Sequence, residues 1–296
     1  MKRFLLFSVL VVCGFAACSK NDAPDEGLAE ETFSVNAGLP SQATKTTLGD
    51  KSGSVWPLLW SEGDRLLLNG VPSVPLAAGD AGAASATFRF SGVGGATVWN
   101  FTYCGVADSD CTVVFPTAQS SSDGRFASYS LPMYATASTA AAASNISLIP
   151  LGAVLRFSFT SSSAITVSQI ELQALGGESI CGDFAIGKSG NGRLNGSLSA
   201  AGNNRDKLVV AAGVALSSTP RSFCIVVPAG TYSDGFQARI TSSTGKIMEV
   251  WFNTKSNKTL SAGTLYNFGE AAFVPMGSSI MSVMSRESFT IDAVSF

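Results

Sequence analysis

Cys18 is the residue whose surroundings most directly indicate a chemical modification. It follows Phe15-Ala16-Ala17, the end of a mostly apolar stretch of fourteen residues, and Lys2-Arg3 precedes that stretch. Such a stretch is shorter than the roughly 20 residues that a membrane-spanning helix needs, and it is typical of an export signal. Because small residues before a cysteine suit a lipoprotein signal peptidase, we predict that residues 1–17 are a lipoprotein signal peptide and that Cys18 is acylated. An ordinary cleaved signal, with Cys18 incidental, is the alternative.

The residue types in the chain limit the kinds of catalysis that it could perform. The chain contains no histidine, which excludes Ser-His-Asp and Cys-His catalysis and histidine-based metal sites. It also lacks a G-x-S-x-G motif, an S-x-x-K motif in a fitting context and a Walker loop. Asp64 is a candidate catalytic acid, but its position in Ser61-Glu62-Gly63-Asp64 favours a structural role in a turn. We therefore expect no enzyme, no metal site and no cofactor.

Four cysteines lie beyond Cys18. Exported proteins can form disulfides, and a bond between Cys104 and Cys111 would close a short loop. Cys181 and Cys224 lie within apolar runs, where a free thiol commonly packs as a small hydrophobic group. We predict Cys104 with Cys111 as a candidate disulfide, and free thiols are the alternative. The chain has no C-x-x-C motif, so neither a zinc ribbon nor a redox motif is supported.

Composition and charge narrow the class of protein. Charged residues make up 14% of the chain, against about 25% in typical soluble proteins. Removal of residues 1–17 takes Lys2 and Arg3 away and leaves 17 basic against 21 acidic residues, a formal net charge of −4. This balance offers no attraction for nucleic acid or for an anionic lipid surface. Residues 18–31 hold five of the acids and little that can pack, so we predict a solvated acidic tether there.

Alternation of apolar side chains with a period of two predicts strands in both halves of the chain. In the first predicted strand, Phe33, Val35, Ala37 and Leu39 alternate with polar or small residues. Further predicted strands are residues 86–90, 98–103, 112–115, 155–159, 165–172 (with an irregularity) and 223–228. Residues 44–70 predict a hairpin, a second turn and a third strand. Short strands that alternate with turns are typical of all-β sandwiches.

A low-complexity segment, A-T-A-S-T-A-A-A-A-S at residues 135–144, separates two groups of predicted strands. We interpret it as the surface connection between two domains. The predicted organisation is an N-terminal β-sandwich at residues 32–145, a C-terminal β-sandwich at residues 146–273 and an extension at residues 274–296.

The order of several segments resembles the fimbrillin family, which comprises lipid-anchored precursors of type V pili in Gram-negative anaerobes of the gut and mouth. These segments are Thr44–Gly70 with its Trp-Ser-Glu-Gly-Asp turn, Tyr129–Pro132, Leu151–Phe157, Phe223–Gly235 and Leu260–Tyr266. The resemblance implies two tandem transthyretin-like β-sandwich domains, export as a lipoprotein and display at the outer face of the outer membrane. It also implies that, in polymerising members, a trypsin-like protease removes the first strand and an extended segment of another subunit fills the gap.

Lys45 is the candidate processing site under this resemblance. It follows the predicted first strand and a polar, proline-containing loop at residues 40–44. Cleavage there would release Cys18 and the first strand together, whereas an uncleaved chain would stay anchored. Shaft subunits of the family often use arginine, but the first arginine after Cys18 is Arg65, in a later strand. The alternative is a solvated lysine at the end of a strand.

The C-terminal extension carries a candidate donor strand. Phe289, Ile291 and Ala293 alternate with polar residues and would present one apolar face in an extended chain. Such a strand has two destinations. It can fold back as an edge strand of its own C-terminal domain, or it can insert into a neighbouring subunit by β-augmentation.

These features predict a cell-surface fimbrial subunit, or an anchor or accessory lipoprotein, that assembles by strand exchange and serves adhesion. The expected partners are other fimbrial subunits in a homopolymer or heteropolymer, the outer membrane through the lipid anchor, and a host or glycan ligand. The alternative is a glycan-binding surface lipoprotein, with Trp56, Trp60, Trp99 or Trp251 as stacking platforms. Tryptophans at these spacings are more often part of a core.

Overall fold

The computed structural model of the chain describes residues 32–39, 44–45, 47–48, 57–107, 110–122, 124–252, 258–274, 284–285 and 292–295. Nearly all of the regular structure in these ranges is β, which confirms the all-β prediction. A single helical turn, α1 (Ala140–Ala143), begins where the Thr139 hydroxyl oxygen accepts a hydrogen bond from the Ala142 N–H at 3.2 Å. A 3₁₀ turn spans Ala78–Asp80. Among the described residues, no helix is both long and apolar enough to cross a membrane.

The strands up to residue 150 are short and follow one another closely. In chain order they are β1 (Thr32–Gly38), β2 (Thr44–Lys45), β3 (Thr47–Leu48), β4 (Pro57–Leu59), β5 (Leu67–Leu68), β6 (Val71–Pro72), β7 (Ser85–Ser91), β8 (Trp99–Tyr103), β9 (Thr112–Phe115), β10 (Ala118–Ser122), β11 (Arg125–Phe126), β12 (Met133–Ala137), β13 (Asn145–Ser147) and β14 (Ile149–Pro150).

The strands beyond residue 150 are mostly longer. They are β15 (Gly152–Thr160), β16 (Ile165–Ala174), β17 (Cys181–Lys188), β18 (Leu194–Arg205), β19 (Lys207–Leu216), β20 (Arg221–Pro228), β21 (Gly230–Tyr232), β22 (Phe236–Ser242), β23 (Ile247–Phe252), β24 (Lys258–Leu260), β25 (Thr264–Ala272), β26 (Met284–Ser285) and β27 (Asp292–Ser295).

One pair of sheets is built mainly from the N-terminal strands. The strand order is β13-β1-β7 in one sheet and β14-β12-β8-β5-β6 in the other. Aromatic rings join the two layers, because Phe90 of β7 meets Phe101 of β8 at a centroid distance of 6.3 Å. Both rings are buried, so this contact lies in the core between the layers. The predicted hairpin is confirmed, since β3 pairs antiparallel with β4.

A second pair of sheets is built mainly from the C-terminal strands. The strand orders are β11-β10-β19-β16-β22-β23-β26 and β20-β15-β25-β27. Phe157 of β15 contacts Phe252 of β23 across the layers at a centroid distance of 4.8 Å. The register of β16 shifts between Val167 and Gln169, as the irregular apolar pattern predicts. The continuous apolar run at residues 223–228 is confirmed as a strand that is buried along its length.

Strand pairing crosses the boundary that the sequence predicts between residues 145 and 146. That boundary falls inside β13, which pairs parallel with β1. Beyond the first pair of sheets, β9 pairs with β17 and β10 pairs with β19. The Gln119 side chain of β10 also accepts from the Val226 N–H (2.9 Å) and donates to the Val226 carbonyl (2.7 Å) at the edge of β20. The described residues belong to one compact unit, and the division into two domains stays a prediction.

Candidate functional site

The candidate site is the first strand together with the groove that holds it. β1 pairs antiparallel with β7 along seven residues, and parallel with β13 along three. Its side chains at Val35 and Ala37 have no exposed surface. They lie directly opposite Phe88 and Ala86 of β7, which are also buried. β1 is therefore an inner strand whose apolar face completes a core.

The start of β1 is held by an aromatic contact. Phe33 is half-buried, and its ring lies 4.5 Å from that of Trp99, centroid to centroid. In the register with β7, Phe33 lies opposite Phe90. The groove thus presents aromatic surface at the Phe33 position and again at Phe88, opposite Val35, and a small side chain, Ala86, opposite Ala37.

Polar contacts fix the register and the far end of β1. The Trp60 indole N–H donates to the Ala37 carbonyl oxygen at 3.1 Å. On the outer face, the Ser85 hydroxyl donates to the Asn36 side-chain oxygen at 2.6 Å. The Gly38 carbonyl oxygen accepts from the Leu148 N–H at 2.9 Å.

Trp60 is held by the turn that follows β4. Its ring is buried and packs edge-on against Phe88 (4.8 Å) and Tyr103 (5.5 Å). In this turn the Asp64 carboxylate accepts from the Ser61 N–H (2.7 Å) and from the Tyr103 hydroxyl (2.8 Å). Burial, assisted by nearby negative charge, raises the pKa of Tyr103 well above its ordinary value, so its hydroxyl stays a donor. Asp64 is thus a buried turn carboxylate that supports one wall of the groove.

Strand pairing places Lys45 next to the groove wall that contains Trp60. It ends β2, which pairs parallel with β4, and the register sets Lys45 opposite Leu59. Leu59 directly precedes Trp60, whose indole binds β1. The candidate processing site is therefore part of a small sheet that adjoins the groove wall, which the sequence did not predict. The loop at residues 40–43, between β1 and β2, lies outside the described residues.

Part of the candidate donor strand pairs with its own chain. β27 pairs antiparallel with β25 along four residues, and Ala293 lies opposite Tyr266. Upstream, β26 pairs parallel with β23. Of the two destinations that the sequence leaves open, the structure contains the edge-strand arrangement for residues 292–295. Phe289 and Ile291 lie outside the described residues, as do Cys18 and the acidic tether.

Cys104 and Cys111 are thiols in the structure, and no disulfide joins them. Gly105 bridges Val113, and the Val114 N–H donates to the Cys104 carbonyl oxygen at 2.9 Å. This register sets Cys104 opposite Val114, so a bond to Cys111 would need a rearrangement of the hairpin. Burial, and then the nearby Asp64 charge, raises the pKa of the Cys104 thiol well above its ordinary value. The disulfide stays a prediction, which peptide mapping under non-reducing conditions tests.

The tryptophans that the glycan-binding alternative needs are largely buried. Trp60 and Trp99 are 1% and 5% exposed, so neither offers a face for sugar stacking. Trp251 is half-buried, and Trp56 lies outside the described residues. An open cleft of about 720 Å³ exists beside β10, β16 and β19, but its lining residues are polar, charged or aliphatic. Trp60 and Trp99 therefore do not support the glycan-binding alternative, whereas the half-buried Trp251 and the exposed Tyr129 keep aromatic surface.

The sequence does not predict two components of this site. The glycan-binding alternative offers Trp60 as a stacking platform, but the Trp60 indole N–H donates to the backbone of β1. The parallel partner β13 was also missed, because it lies more than 100 residues from β1. The sequence does contain a pattern that predicts burial of Trp60, since this residue directly precedes a turn whose flanking residues are apolar and have to pack in a core.

No family model matches this chain. No curated protein matches it either. Solved structures similar to it include a proposed cell adhesion protein from Bacteroides ovatus, with a TM-score of 0.45 and 8% identity over 83% of this chain and 93% of that one. A proposed cell adhesion protein from Parabacteroides distasonis has a TM-score of 0.42 and 13% identity over 90% and 96% of the two chains. The tip fimbrial protein Mfa3 from Porphyromonas gingivalis, C-terminally truncated, has a TM-score of 0.39 and 10% identity over 83% and 96%.

Proposed function

We propose that this chain is a surface fimbrial subunit, or an anchor or accessory subunit of a fimbrium, that is displayed as a lipoprotein, assembles by strand exchange and serves adhesion. The observation that carries the proposal is the position of β1. β1 is an inner strand that completes a core, yet it precedes all other described strands in the chain. One cut after Lys45 would separate β1 and Cys18 covalently from the rest of the chain, and the sheet would lose an inner strand.

Loss of β1 would create a groove that has to be refilled. Phe88 and Phe90, both buried opposite β1, would lose their cover. The backbone groups of β7 that pair with β1 would also lose their partners, and an open apolar edge of this kind binds another strand or aggregates. Burial of a side chain such as Phe33 or Val35 contributes about 1.5–3 kcal/mol. A replacement strand therefore needs apolar residues at alternate positions, as in Phe289, Ile291 and Ala293.

The pairing around Lys45 suits cleavage before strand release. β2 has two residues and two register pairs, whereas β1 has seven pairs with β7. Because local opening costs less where few contacts are broken, β2 can open to a protease while β1 stays paired. Lys45 would then be cut first, and β1 would leave afterwards.

Acylation of Cys18 explains how the subunit would be kept at the cell before assembly. Each buried methylene of an acyl chain contributes about 0.8 kcal/mol, so more than one acyl chain on Cys18 would anchor the subunit stably in the outer membrane. Cleavage removes this anchor, after which only neighbouring subunits hold the chain. An uncleaved copy would serve as the base of the polymer. In this role the chain needs no catalytic step and no cofactor, and its partners are fimbrial subunits and a host or glycan surface.

Purified outer membranes and shed surface material test the proposal. We expect the protein to run in detergent gels as a heat-sensitive ladder, because a polymer held by strands resists detergent but dissociates when it unfolds. N-terminal sequencing of the ladder should begin at Thr46. The variant Lys45→Gln should remain a lipidated monomer that starts at Cys18.

Lys51→Gln is the matched control, because it makes the same change of charge six residues further along the chain. We expect it to be processed and assembled normally. A ladder that persists in Lys45→Gln would contradict processing at Lys45. A single monomer band in the wild type, together with bound polysaccharide, would contradict the fimbrial function and favour the glycan-binding alternative.

A further inference from the structure

Tyr129, which lies between β11 and β12, presents an aromatic ring at the surface. The residue is 39% exposed, and it is the one exposed aromatic residue among those that the structure describes. It belongs neither to β1 nor to the C-terminal extension, so strand exchange gives it no role. A single exposed ring is common on protein surfaces and carries no functional argument by itself. The contacts that hold this ring in place are less common.

The backbone of Tyr129 adopts a conformation that bulky residues rarely adopt. Its φ of 59° lies in the left-handed region, where glycine and asparagine are far more frequent than tyrosine. The Tyr129 N–H donates to the Tyr103 hydroxyl oxygen at 3.0 Å, which fixes the backbone in this conformation. Strained backbone of this kind persists only where surrounding contacts hold it, and it is concentrated at functional sites. The position therefore favours a role for the tyrosine side chain.

The side chain of Tyr129 is held at its ring and at its hydroxyl. The ring stacks on that of Tyr103, with the centroids 5.1 Å apart and the planes 20° from parallel. The hydroxyl donates to the Gly63 carbonyl oxygen at 2.6 Å. Tyr103 is itself buried and donates its hydroxyl to the Asp64 carboxylate at 2.8 Å. The Tyr129 ring is thus rigid, and the surface that it leaves exposed is directed away from Tyr103.

Two charged residues border this ring. Glu62 and Arg65 flank Gly63 in the turn that binds the Tyr129 hydroxyl. Both are exposed, and among the described residues neither charged group has a hydrogen-bond or ion-pair partner. Burial and the nearby Asp64 charge raise the pKa of Tyr129 to about 12, and the Arg65 charge opposes this rise, which places the guanidinium near the ring. Because arginine only donates hydrogen bonds and ionised glutamate only accepts them, the ring has one unused donor and one unused acceptor beside it.

A neutral hexopyranose ring matches these groups. One face of a β-linked galactose or glucose ring consists of C–H groups that pack against an aromatic face, and its rim carries hydroxyls that both donate and accept. Arg65 can donate to one hydroxyl, and Glu62 can accept from another. The two opposite charges leave no net attraction for an acidic or a basic ligand. An apolar peptide segment fits less well, since it would remove both charges from water without new hydrogen bonds.

We propose that Tyr129, Glu62 and Arg65 form a binding site for a neutral glycan, with a β-linked galactose or glucose ring stacked on the tyrosine. This inference rests on the adhesive role in the proposed function and adds the residues and the ligand class to it. Little conformational freedom is lost on binding, because the ring is already fixed. One stacked ring binds weakly, but a polymer repeats the site in every subunit, and engagement of several sites at once raises the overall affinity.

Saturation-transfer NMR on the purified full-length chain tests the site. The probe is lactose, which contains one β-linked galactose ring and one glucose ring. The control ligand is galactitol, the open-chain alcohol of galactose, which keeps the hydroxyls but has no ring face. We expect transfer of saturation to the C–H groups of lactose and none to galactitol. No transfer to lactose, or equal transfer to both, would overturn the proposal.

Tyr129→Asn removes the ring and keeps a residue that tolerates the left-handed backbone. We expect its affinity for lactose to fall about tenfold or more, because the stacking contact is lost. Tyr129→Phe keeps the ring and should retain binding. Val274→Asn is the matched control, since it introduces the same side chain at another exposed apolar residue, in the C-terminal half. Wild-type affinity in Tyr129→Asn, with an unchanged circular dichroism spectrum, would overturn the site.

The double variant Glu62→Ala with Arg65→Ala leaves the ring in place and decides the question if Tyr129→Asn does not fold. It should bind lactose several-fold more weakly, and unchanged affinity would overturn the site. Detergent gels measure the polymer independently of lactose. A ladder formed by a chain that does not bind lactose would overturn this inference and leave the polymer standing. Lactose binding by a chain that forms no ladder would support the site and overturn the strand exchange of the proposed function.

Discussion

Trp60 shows at the scale of a residue how the groove retains its strand. Its indole N–H satisfies the Ala37 carbonyl oxygen, and its ring packs between Phe88 and Tyr103. We expect Trp60→Phe to lower the free energy of unfolding by about 1–3 kcal/mol, because a buried carbonyl loses its donor. Amide hydrogen exchange of residues 33–39 should accelerate most, since the lost bond holds β1.

Tyr129→Phe is the control for this prediction. The Tyr129 hydroxyl donates to the Gly63 carbonyl oxygen at 2.6 Å in the same turn but does not bond to β1. We therefore expect a change in stability without a selective loss of protection in β1. Equal exchange profiles for the two variants would contradict a specific role for Trp60.

The buried thiols predict a loss of stability at high pH. Burial raises the pKa of Cys224 to about 12 and that of Cys181 to about 11. In the unfolded chain a thiol ionises near pH 8.5, so the unfolded state loses protons that the folded state keeps. The contribution of these thiols to stability is therefore complete below about pH 8.5 and is lost as pH rises toward 12.

Denaturant unfolding at pH values between 8 and 11 measures this loss. Cys224→Val keeps the volume of the side chain but removes the ionising group, so its stability should fall less steeply with pH than that of the wild type. Identical slopes would show that Cys224 does not ionise on unfolding in this range. Alkylation of Cys224 in the native protein should be slow at pH 8 for the same reason.

At the scale of the element, the sequence predicted strands better than it predicted their partners. Alternation marks β1 and an apolar run marks β20, because the burial of one face or of both faces dictates side-chain polarity. Pairing depends on residues far apart in the chain, as in the parallel contact of β1 with β13. The bond from Gln119 to the edge of β20 is of the same kind. Gln119 and Ser121 both bond backbone groups along that edge, and no local sequence pattern predicts these contacts.

The tail, residues 288–296, should tolerate charge on one face and not on the other. In the proposed strand exchange, Ile291 lies on the apolar face that would take the place of buried side chains such as Val35, whereas Thr290 lies on the polar face. We expect Ile291→Asp to abolish the ladder, since an unpaired carboxylate would have to enter a core. Thr290→Asp adds the same charge on the polar face and should leave the ladder intact.

Detergent gels of surface material, heated and unheated, measure both variants. If both assemble normally, the face of the tail that enters the groove is not the one proposed. If both fail, the charge acts without regard to the face, and the alternation of the tail does not explain assembly. A conservative Ile291→Val variant checks that the site tolerates the side chain found in β1.

At the scale of the whole molecule, the two halves share more strands than the linear order predicts. The alanine-rich segment at residues 135–144 is not the surface connection that the sequence predicts, because residues 135–137 belong to β12 and are mostly buried. β13 and β14, which follow it, pair with β1 and β12, and β9 and β10 pair with β17 and β19. The sequence could not predict this pairing between the two halves, because the side-chain pattern of a short strand does not depend on which sheet the strand joins. Pairing across the halves makes the C-terminal sheets depend on the N-terminal half. Loss of β1, by contrast, removes strand pairing only from the sheet formed with β7 and β13.

The tail can be removed without loss of the fold, because it pairs only at the edge of a sheet. β27 contributes four register pairs at the edge of β25, while β25 keeps six pairs with β15 on its other side. We expect deletion of residues 288–296 to leave a folded and exported monomer with a modest loss of thermal stability, and to abolish its self-assembly. Circular dichroism and gel filtration check the monomer, and detergent gels of surface material check the polymer.

The deletion variant retains the acceptor groove, and this allows a decisive second measurement. Processed and added to wild-type chains, it should accept one tail and offer none, so the ladder should shorten as its proportion rises. Lys45→Gln with the same deletion is the control, because its groove stays filled by β1 and it should leave the ladder unchanged. Polymers that persist in the deletion variant alone would rule out the donor role of the tail. Loss of the folded monomer, with no shortening of the ladder, would instead make residues 292–295 an edge strand on which the C-terminal sheet depends.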